Sequence, residues 1–160
     1  MQTGYGWLGT AVLEGELEVT MPDGSVVVYI PSNIHFHSPS EHTFNGKQYD
    51  LEMHIVHINK KTRQLGAVIG ILFDRTKKGD TEFLQSLNLE RATDPEHVMV
   101  IDEDLQTGFY KPDQPVAFEK FLNNLDLKSF YNYEGSLTTP PCTEGLHWFV
   151  MENVEPVTYA

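Results

Sequence analysis

Residues 51–58 read Leu-Glu-Met-His-Ile-Val-His-Ile, and residues 34–37 read Ile-His-Phe-His. Both stretches are typical of β-strands, in which successive side chains point to opposite faces of the sheet. His35 and His37 therefore project from one face of the first strand, and His54 lies on the second strand within a loop's reach. Two ligands from one strand and a third from its neighbour can form three corners of a tetrahedron, which is the layout of a catalytic zinc site.

The histidine pattern also has a simpler interpretation, because alternate histidines on a strand often just face solvent. His42 and His57 add two more histidines to the same region. Spacing alone does not say which three would bind a metal, so a metal site and a solvated strand both remain open at this point.

Candidate hydrogen-bond acceptors strengthen the metal interpretation. Metal-bound histidines usually donate their second ring N–H to a carboxylate or carbonyl oxygen. Glu52 falls on the same face as His54, Asn33 falls on the same face as His35, and Glu41 follows a few residues later. The alternative for the two glutamates is exposed surface charge, which is the usual environment of Glu.

Short apolar runs separated by turn residues occupy much of the remaining chain. Residues 15–20 alternate in polarity, Pro22-Asp23-Gly24 is a turn signal, and residues 25–30 are rich in β-branched side chains. This order predicts a β-hairpin. Residues 66–73 and 145–151 are nearly continuous apolar runs, as expected of buried strands.

Two short helices complete the predicted elements. One would be capped by Asp80 or Thr81 and run through about Leu89, and the other would cover residues 116–125, where apolar side chains recur at helical spacing. Residues 91–114 are polar and irregular and are interpreted as a loop. The chain is therefore expected to be mainly β with peripheral helices, an α+β protein.

Composition excludes several functional classes. The 160 residues are 40% hydrophobic, enough for one domain with one core, and the net charge is -12. So acidic a surface disfavours binding to nucleic acid or to anionic membranes. No apolar stretch approaches the roughly 18 residues that cross a bilayer, and no secretory signal is visible at the start.

Three stretches, in the same order and at compatible spacing, resemble motifs of the α-class carbonic anhydrase family. They are His-Phe-His-Ser-Pro-Ser-Glu-His-Thr at 35–43, Leu-Glu-Met-His-Ile-Val-His at 51–57 and Ser-Leu-Thr-Thr-Pro-Pro-Cys-Thr-Glu-Gly at 136–145. The match continues through Leu-His-Trp-Phe-Val at 146–150. The resemblance implies one α-carbonic anhydrase-like domain over residues 1–160, built on a central, mostly antiparallel twisted β-sheet and incomplete at both ends.

The resemblance implies Zn²⁺ as cofactor and assigns its surroundings position by position. The zinc ligands would be His35, His37 and His54, and the acceptors behind them Glu52 and Asn33. Asn33 stands where the family usually has a longer glutamine.

The implied catalytic residues are Thr138, Glu41 and Thr139, the last being a second polar residue at the site. An apolar wall that receives carbon dioxide would comprise Val56, Val68, Leu137, Leu146 and Trp148, for which ordinary core packing is the alternative. Structural hydrogen-bonding positions are matched by His42, His57 and Tyr133, which removes the ambiguity over the ligands.

The family's reaction is the reversible hydration of carbon dioxide to bicarbonate and a proton by zinc-bound hydroxide. Three neutral imidazoles leave the zinc able to lower the pKa of its bound water to about 7, a value established for carbonic anhydrase itself rather than derived from these residues. If Glu41 accepts the proton of Thr138, Thr138 can only accept a hydrogen bond from the hydroxide, which orients its lone pair toward the substrate. The resemblance also implies inhibition by sulfonamides.

Two further positions follow from the resemblance. Tyr5 aligns with the position of the family's proton shuttle, and tyrosine, with a pKa of about 10, exchanges protons poorly at neutral pH, so we expect slow or buffer-dependent turnover. Cys142 matches a cysteine that forms a disulfide in many secreted members, which favours a secreted or organelle-lumen protein. A lone buried thiol is the alternative for Cys142.

Three functions are compared. A zinc lyase is favoured because every zinc-ligand position is occupied by histidine and the Thr138 and Glu41 positions are also retained. The alternative is a non-catalytic binding or structural module within a larger protein or assembly, which the short length favours. An esterase activity would use the same zinc-bound hydroxide, but a narrow apolar pocket makes it a side activity.

Overall fold

A computed structural model describes residues 5–7, 15–75, 82–87, 98–102, 107–110 and 118–157. These residues form a ten-stranded sheet, a separate two-stranded sheet and two short helices. The strands are β1 (Tyr5–Trp7), β2 (Leu17–Thr20), β3 (Val26–His37), β4 (Thr43–Phe44), β5 (Lys47–Gln48), β6 (Leu51–Asn59), β7 (Leu65–Arg75), β8 (Val98–Asp102), β9 (Thr107–Tyr110), β10 (Phe130–Ser136), β11 (Glu144–Met151) and β12 (Glu155–Val157). The helices are α1 (Glu82–Leu87) and α2 (Phe118–Asn124).

The large sheet has the order β10-β11-β7-β6-β3-β1-β9-β8, with β2 added to β3 and β12 to β7. Most neighbours are antiparallel, and β1–β9, β7–β11 and β7–β12 are parallel. The predicted fold class, mainly β on a mostly antiparallel sheet with peripheral helices, is confirmed. Central strands β3, β6 and β7 are set in a register that places His35 opposite His54 and His54 opposite Gly70.

One face of the central sheet carries the helices. Met53, Ile55 and Phe73 are buried there together with Phe83 of α1 and Phe121 of α2. The Phe83 and Phe121 rings stack with centroids 4.5 Å apart. The short helices are therefore held by burying their apolar side chains on the sheet, as helices of this length require. Neither described helix, at 6 and 7 residues, is long enough to cross a membrane.

The opposite face carries the histidines and a second apolar cluster. Because side chains alternate along each strand, residues one step away from the helix-covered positions point here. The buried members of this cluster are Val56, Val68, Leu72, Leu146, Trp148 and Val150. The candidate site thus lies on the face of the sheet away from α1 and α2.

The predicted hairpin is confirmed as β2 and β3. Asp23 Oδ1 accepts a hydrogen bond from the Ser25 backbone N–H at 2.9 Å, and Gly24 has a φ of 82°, which favours glycine. The strand expected over residues 34–37 is the last third of one long strand, β3, rather than a separate element. A register shift between Pro31 and Asn33 lets the strand continue past a proline that has no N–H to donate.

The loop predicted over residues 91–114 is wrong in part, because β8 and β9 lie within it and form an antiparallel pair. Strand β9 in turn pairs with β1 through Gly6 and Phe109. The partner that extends this pair into the large sheet is distant in sequence, so local polarity gave no sign of it.

The second helix is confirmed within residues 116–125, whereas Asp80, Thr81 and Leu89 at the ends of the first predicted helix lie outside the described residues.

Candidate metal centre

The fold brings the three predicted ligands together. His35 and His37 leave the same face of β3, and His54 lies directly opposite His35 on β6. Their ring centroids are 5.0 Å apart for His35–His37, 5.1 Å for His35–His54 and 4.6 Å for His37–His54. His37 and His54 are buried and His35 is half-buried, so the interpretation of these histidines as solvent-facing is wrong.

Hydrogen bonds define which nitrogen of each ring points into the cluster. His35 Nδ1 lies 3.0 Å from the Asn33 Oδ1 atom, and His54 Nε2 lies 2.7 Å from Glu52 Oε1. Both oxygens are acceptors, so each of these nitrogens carries the ring proton and the other nitrogen carries a lone pair. His35 Nε2 and His54 Nδ1 then face each other at 3.2 Å with no proton between them.

The third ring completes this arrangement. His37 Nδ1 lies 3.4 Å from Glu41 Oε1, and His37 Nε2 is buried without a hydrogen-bond partner among the residues that the structure describes. Two ligands of a tetrahedral zinc ion at 2.0–2.1 Å are about 3.3 Å apart, close to the observed separation of the facing lone pairs. These residues therefore fit a zinc ion, since a cation would satisfy three lone pairs that otherwise oppose one another.

The protonation state of the histidine rings also favours metal binding. Burial, with smaller contributions from His54 and His37, lowers the pKa of His35 to about 3. Burial, together with the neighbouring His54, also lowers the pKa of His37. Both rings are thus neutral at physiological pH, as metal ligands must be.

A second group of possible ligand atoms, from His42, Glu52 and His54, is better explained by hydrogen bonds. Glu52 Oε1 lies 2.5 Å from His42 Nδ1 and 2.7 Å from His54 Nε2. These separations are too short for two ligands of one tetrahedral ion, and both are normal for a carboxylate that accepts N–H donors.

Glu52 is the hub behind the cluster and is 0% exposed. Its Oε2 atom accepts the backbone N–H groups of Glu41 and His42, both at 2.8 Å. Burial acts to raise the pKa of Glu52, but the hydrogen bonds with His42 and His54 outweigh it and hold this pKa well below its usual range. The interpretation of Glu52 as surface charge is wrong, because its side chain is fully buried. The N–H donors around it compensate for the loss of water that burial of a carboxylate entails.

The structural hydrogen-bonding roles of His42, His57 and Tyr133 are confirmed. His42 Nε2 lies 2.6 Å from the Tyr133 hydroxyl, and His57 Nδ1 lies 2.8 Å from the Ile55 carbonyl oxygen. Burial lowers the pKa of His57. His57 therefore contributes to the sheet rather than to the metal centre.

The predicted catalytic residues are only partly brought together. The Glu41 side chain is 8% exposed and lies beside His37, so its interpretation as surface charge is wrong too. Thr138 and Thr139 lie on the exposed segment between β10 and β11. Within the described ranges the structure records no hydrogen bond between the Thr138 hydroxyl and Glu41, so that pair stays a prediction.

The five residues of the predicted apolar wall lie in one cluster. Val56, Val68, Leu146 and Trp148 are buried, and Leu137 packs against them partly buried. The Trp148 ring centroid is 4.8 Å from that of His54. The wall is therefore continuous with the histidine cluster.

Gly70 contributes to the site and was missed in the sequence. It lies opposite His54, and a Cβ atom there would lie 3.3 Å from Glu52 Oε1 and 3.8 Å from the Trp148 ring. The missing side chain leaves room for the Glu52 carboxylate. The only signal was a glycine within the apolar run of β7, which often marks a close approach.

The two remaining predictions concern Tyr5 and Cys142. Tyr5 belongs to β1 and pairs with Phe36, between the two histidines of β3, but its side chain lies outside the described residues. Cys142 is exposed with a φ of 57°, so its interpretation as a buried thiol is wrong.

Comparison with known proteins identifies the family. The profile described as "Eukaryotic-type carbonic anhydrase" matches residues 9–160. Among curated relatives, "Alpha carbonic anhydrase 4" of Arabidopsis thaliana is 37% identical over 95% of this chain and 47% of its own length. "Dioscorin dioA3" of Dioscorea japonica is 36% identical over 82% of this chain and 43% of its own length. The chain thus spans about half the length of the curated relatives it matches.

Solved structures agree with this relationship. The α-carbonic anhydrase of Aspergillus oryzae superposes with a TM-score of 0.65 at 27% identity, over 99% of this chain and 63% of that one. Carbonic anhydrase Cah3 of Chlamydomonas reinhardtii, in complex with acetazolamide, has a TM-score of 0.55 at 31% identity, over 84% and 53% of the two chains. Two of the three motifs lie along the paired strands β3 and β6, and the third lies at the connection between β10 and β11 of the same sheet. The chain belongs to the α-class, eukaryotic-type carbonic anhydrase family.

Proposed function

We propose that this chain catalyses the reversible hydration of carbon dioxide to bicarbonate and a proton, with zinc held by His35, His37 and His54. The observation that carries the proposal is the convergence of three imidazole lone pairs, two of them facing each other at 3.2 Å. Family membership supports the same activity, since α-carbonic anhydrases in general act on carbon dioxide with zinc.

When bound, zinc would supply the Lewis acidity that makes water a nucleophile near neutral pH. The chain's own residues fix the ring protons of the histidine ligands, so that the other nitrogen of each ring is free to bind the metal. Glu52 accepts the Nε2 proton of His54, and Asn33 accepts the Nδ1 proton of His35. Neutral ligands leave the charge of the metal undiminished, whereas carboxylate or thiolate ligands would cancel part of it.

Glu41 and Thr138 are proposed to orient the reacting water. Glu41 is nearly buried beside His37, and Thr138 lies on the segment that follows β10. A Thr138 hydroxyl that donates to Glu41 would have only its lone pairs left for the water, which would set the direction of attack. Thr139, next in the chain, is proposed as a second polar contact for the substrate.

Substrate selection is proposed to rest on the apolar wall. Carbon dioxide has no net dipole and gains little from polar contacts, so Val56, Val68 and Trp148 suit it better than they suit a charged ion. Bicarbonate, once formed, is charged and is favoured in water rather than against these side chains.

A non-catalytic binding or structural module is the second candidate. It is favoured by the exposed position of Thr138 and by the similarity to a dioscorin, a relative with a name other than carbonic anhydrase. Such a module would hold zinc without turnover.

Stopped-flow measurement of carbon dioxide hydration separates these candidates. We expect zinc-dependent hydration that acetazolamide inhibits and that His54→Ala abolishes. His147→Ala is the matched control, because His147 lies on β11 opposite Ala67 and packs near Tyr29 on the helix-covered face, so it should keep its activity. Zinc binding with the same hydration rate in wild type and His54→Ala would establish the non-catalytic module instead.

A further inference from the structure

A groove beside the start of β3 lies away from the candidate metal centre. It has a volume of about 510 Å³ and is lined by residues 26–28 of β3 and by residues 59–62, at the end of β6 and in the turn that follows. Asn59 lies five residues from His54 along β6, a separation of about 17 Å. The volume falls within the range of about 300–1,000 Å³ that is typical of small-molecule sites, so the groove is large enough for a ligand of its own.

The floor of the groove is apolar and partly open to solvent. Val26, Val27 and Val28 follow one another at the start of β3, and Val26 is 56% exposed. Strand β3 extends past the end of β6 here, because the two strands pair only from Tyr29 onward. Among the described strands, none pairs with the three valines on this side. A ligand with an apolar part would therefore remove exposed valine surface from water.

The turn that forms the other wall is fixed by hydrogen bonds. The Asn59 Oδ1 atom accepts the backbone N–H groups of Lys61 and Thr62, both at 2.9 Å. The Lys60 backbone N–H donates to the Val28 carbonyl oxygen, also at 2.9 Å, and so ties the turn to β3. The groove is thus formed before a ligand binds, which keeps the entropic cost of binding low.

Positive charge is concentrated at this turn, although the chain carries a net charge of -12. Lys60, Lys61 and Arg63 are three of its 11 basic residues, and all three are exposed. Lys60 is paired with Glu16, whereas within the described ranges the Lys61 ammonium makes no ion pair or hydrogen bond. Glu18 lies on β2, across β3 from the turn. An anionic group in the groove would therefore find an unpaired positive charge at Lys61.

We infer that this groove binds a free amphipathic carboxylate, such as a medium-chain fatty acid, with its apolar chain against the valines and its carboxylate at Lys61. An apolar floor beside an unpaired ammonium group matches a ligand that has both parts, whereas an inorganic anion would leave the valines uncovered. A peptide strand is matched less well, because only residues 26–28 of β3 extend past β6, fewer than the usual strand length of about five to six residues. The inference does not depend on the proposed function, since the groove contains none of the candidate zinc ligands.

Decanoate, kept below the concentration at which it forms micelles, is the probe. Its titration into the full chain, followed by ¹H–¹⁵N NMR, should give saturable shifts of the backbone amides of residues 26–28 and 59–62. The affinity should fall about 2–4-fold for each methylene group removed from the acid, as burial of this group against apolar side chains predicts. Decyltrimethylammonium, which carries a similar chain and the opposite charge, should bind more weakly.

Two variants separate the charged contact from the apolar one. Lys61→Gln should weaken the binding of decanoate about 2–5-fold, the range expected for an exposed ion pair, without weakening the binding of decyltrimethylammonium. Val26→Ser should weaken the binding of both. The matched controls are Lys128→Gln and Leu127→Ser, which change an exposed lysine and an exposed apolar residue outside the groove and should keep the wild-type affinity.

Non-saturable shifts, or equal decanoate affinities in wild type, Lys61→Gln and Val26→Ser, would overturn the inference. Shifts centred on residues 127–133 would place the ligand against the exposed side chains of β10 and would overturn it as well. If the peptide acetyl-Val-Glu-Val-Glu-Val-amide bound at the groove and decanoate did not, the occupant would be an acidic strand, and shifts that depend on protein concentration without ligand would identify a second copy of the chain. Either result contradicts the inference. If Val26→Ser does not fold, the dependence of the wild-type affinity on the length of the acid still decides whether the valines receive its chain.

Discussion

Glu52 shows how much one buried side chain can organise. Four N–H groups point at its two oxygens, two from the rings of His42 and His54 and two from the backbone of residues 41 and 42. A carboxylate matches this demand because it only accepts. The same group therefore sets the tautomer of a candidate ligand and fixes the start of the next loop.

Glu52→Gln tests this role. An amide has one accepting oxygen, so its NH2 group would face N–H donors on one side of the network. We expect zinc affinity to fall by about 10–100-fold, measured by chelator competition, and the metal-free protein to become less stable. Glu144→Gln, at an exposed position at the start of β11, is the control, and equal zinc affinity in the two variants would contradict the role of Glu52.

Among the structural elements, the segment between β3 and β6 depends on one buried serine. Ser40 is 1% exposed. Its hydroxyl donates to the His42 carbonyl oxygen at 2.7 Å and accepts the Tyr49 N–H at 2.9 Å. Its backbone N–H donates to the Tyr49 carbonyl oxygen. Ser40 thus ties both ends of this segment together and holds the backbone that Glu52 also contacts.

Ser40→Ala should cost about 1–3 kcal/mol in the free energy of unfolding, because it leaves two partly buried backbone groups, the His42 carbonyl and the Tyr49 N–H, without this partner. Urea unfolding of the metal-free protein measures this cost. Ser38→Ala is the control in the same segment, since Ser38 is exposed and its hydroxyl donates to the Asp50 carbonyl oxygen. A cost no larger for Ser40→Ala than for Ser38→Ala would show that the segment is held by other contacts.

For the molecule as a whole, a buried histidine on the helix-covered face gives stability a pH dependence that is separate from the metal. Burial lowers the pKa of His57 in the folded state. Below about pH 6.5 the unfolded chain binds a proton at this residue, whereas the folded chain does not until a lower pH. The free energy of unfolding should therefore decrease as the pH falls through 6.5 toward the folded-state pKa.

His57→Gln should remove this part of the pH dependence. The slope of unfolding free energy against pH should become shallower by up to about 1.4 kcal/mol per pH unit between pH 5 and 6.5. Urea unfolding with excess chelator at several pH values measures the slope for each protein. Because the other histidines are the same in both proteins, the difference between the two slopes reports His57. Identical slopes would mean that the folded protein takes up a proton at His57 as readily as the unfolded chain does.

Much of the sheet follows from local sequence. The alternation in β2 and β6, the Pro-Asp-Gly turn and the apolar runs of β7 and β11 depend on neighbours in the chain, so they were predicted to within a few residues. Strands β8 and β9 were missed because they join the sheet only through the pairing of β9 with β1. A long-range partner of this kind leaves no periodic trace in a short segment.

The sequence by itself determined the identity of the candidate ligands, since the His-Xaa-His pair, the third histidine and the threonine-containing motif together specify the family. Only the tertiary structure decided what surrounds them. It brings Tyr133 to His42, 91 residues apart, and places Gly70 where Glu52 needs room. The physical reason is that a strand's own residues determine which face a side chain occupies, whereas its contacts depend on register with strands that are distant in the chain.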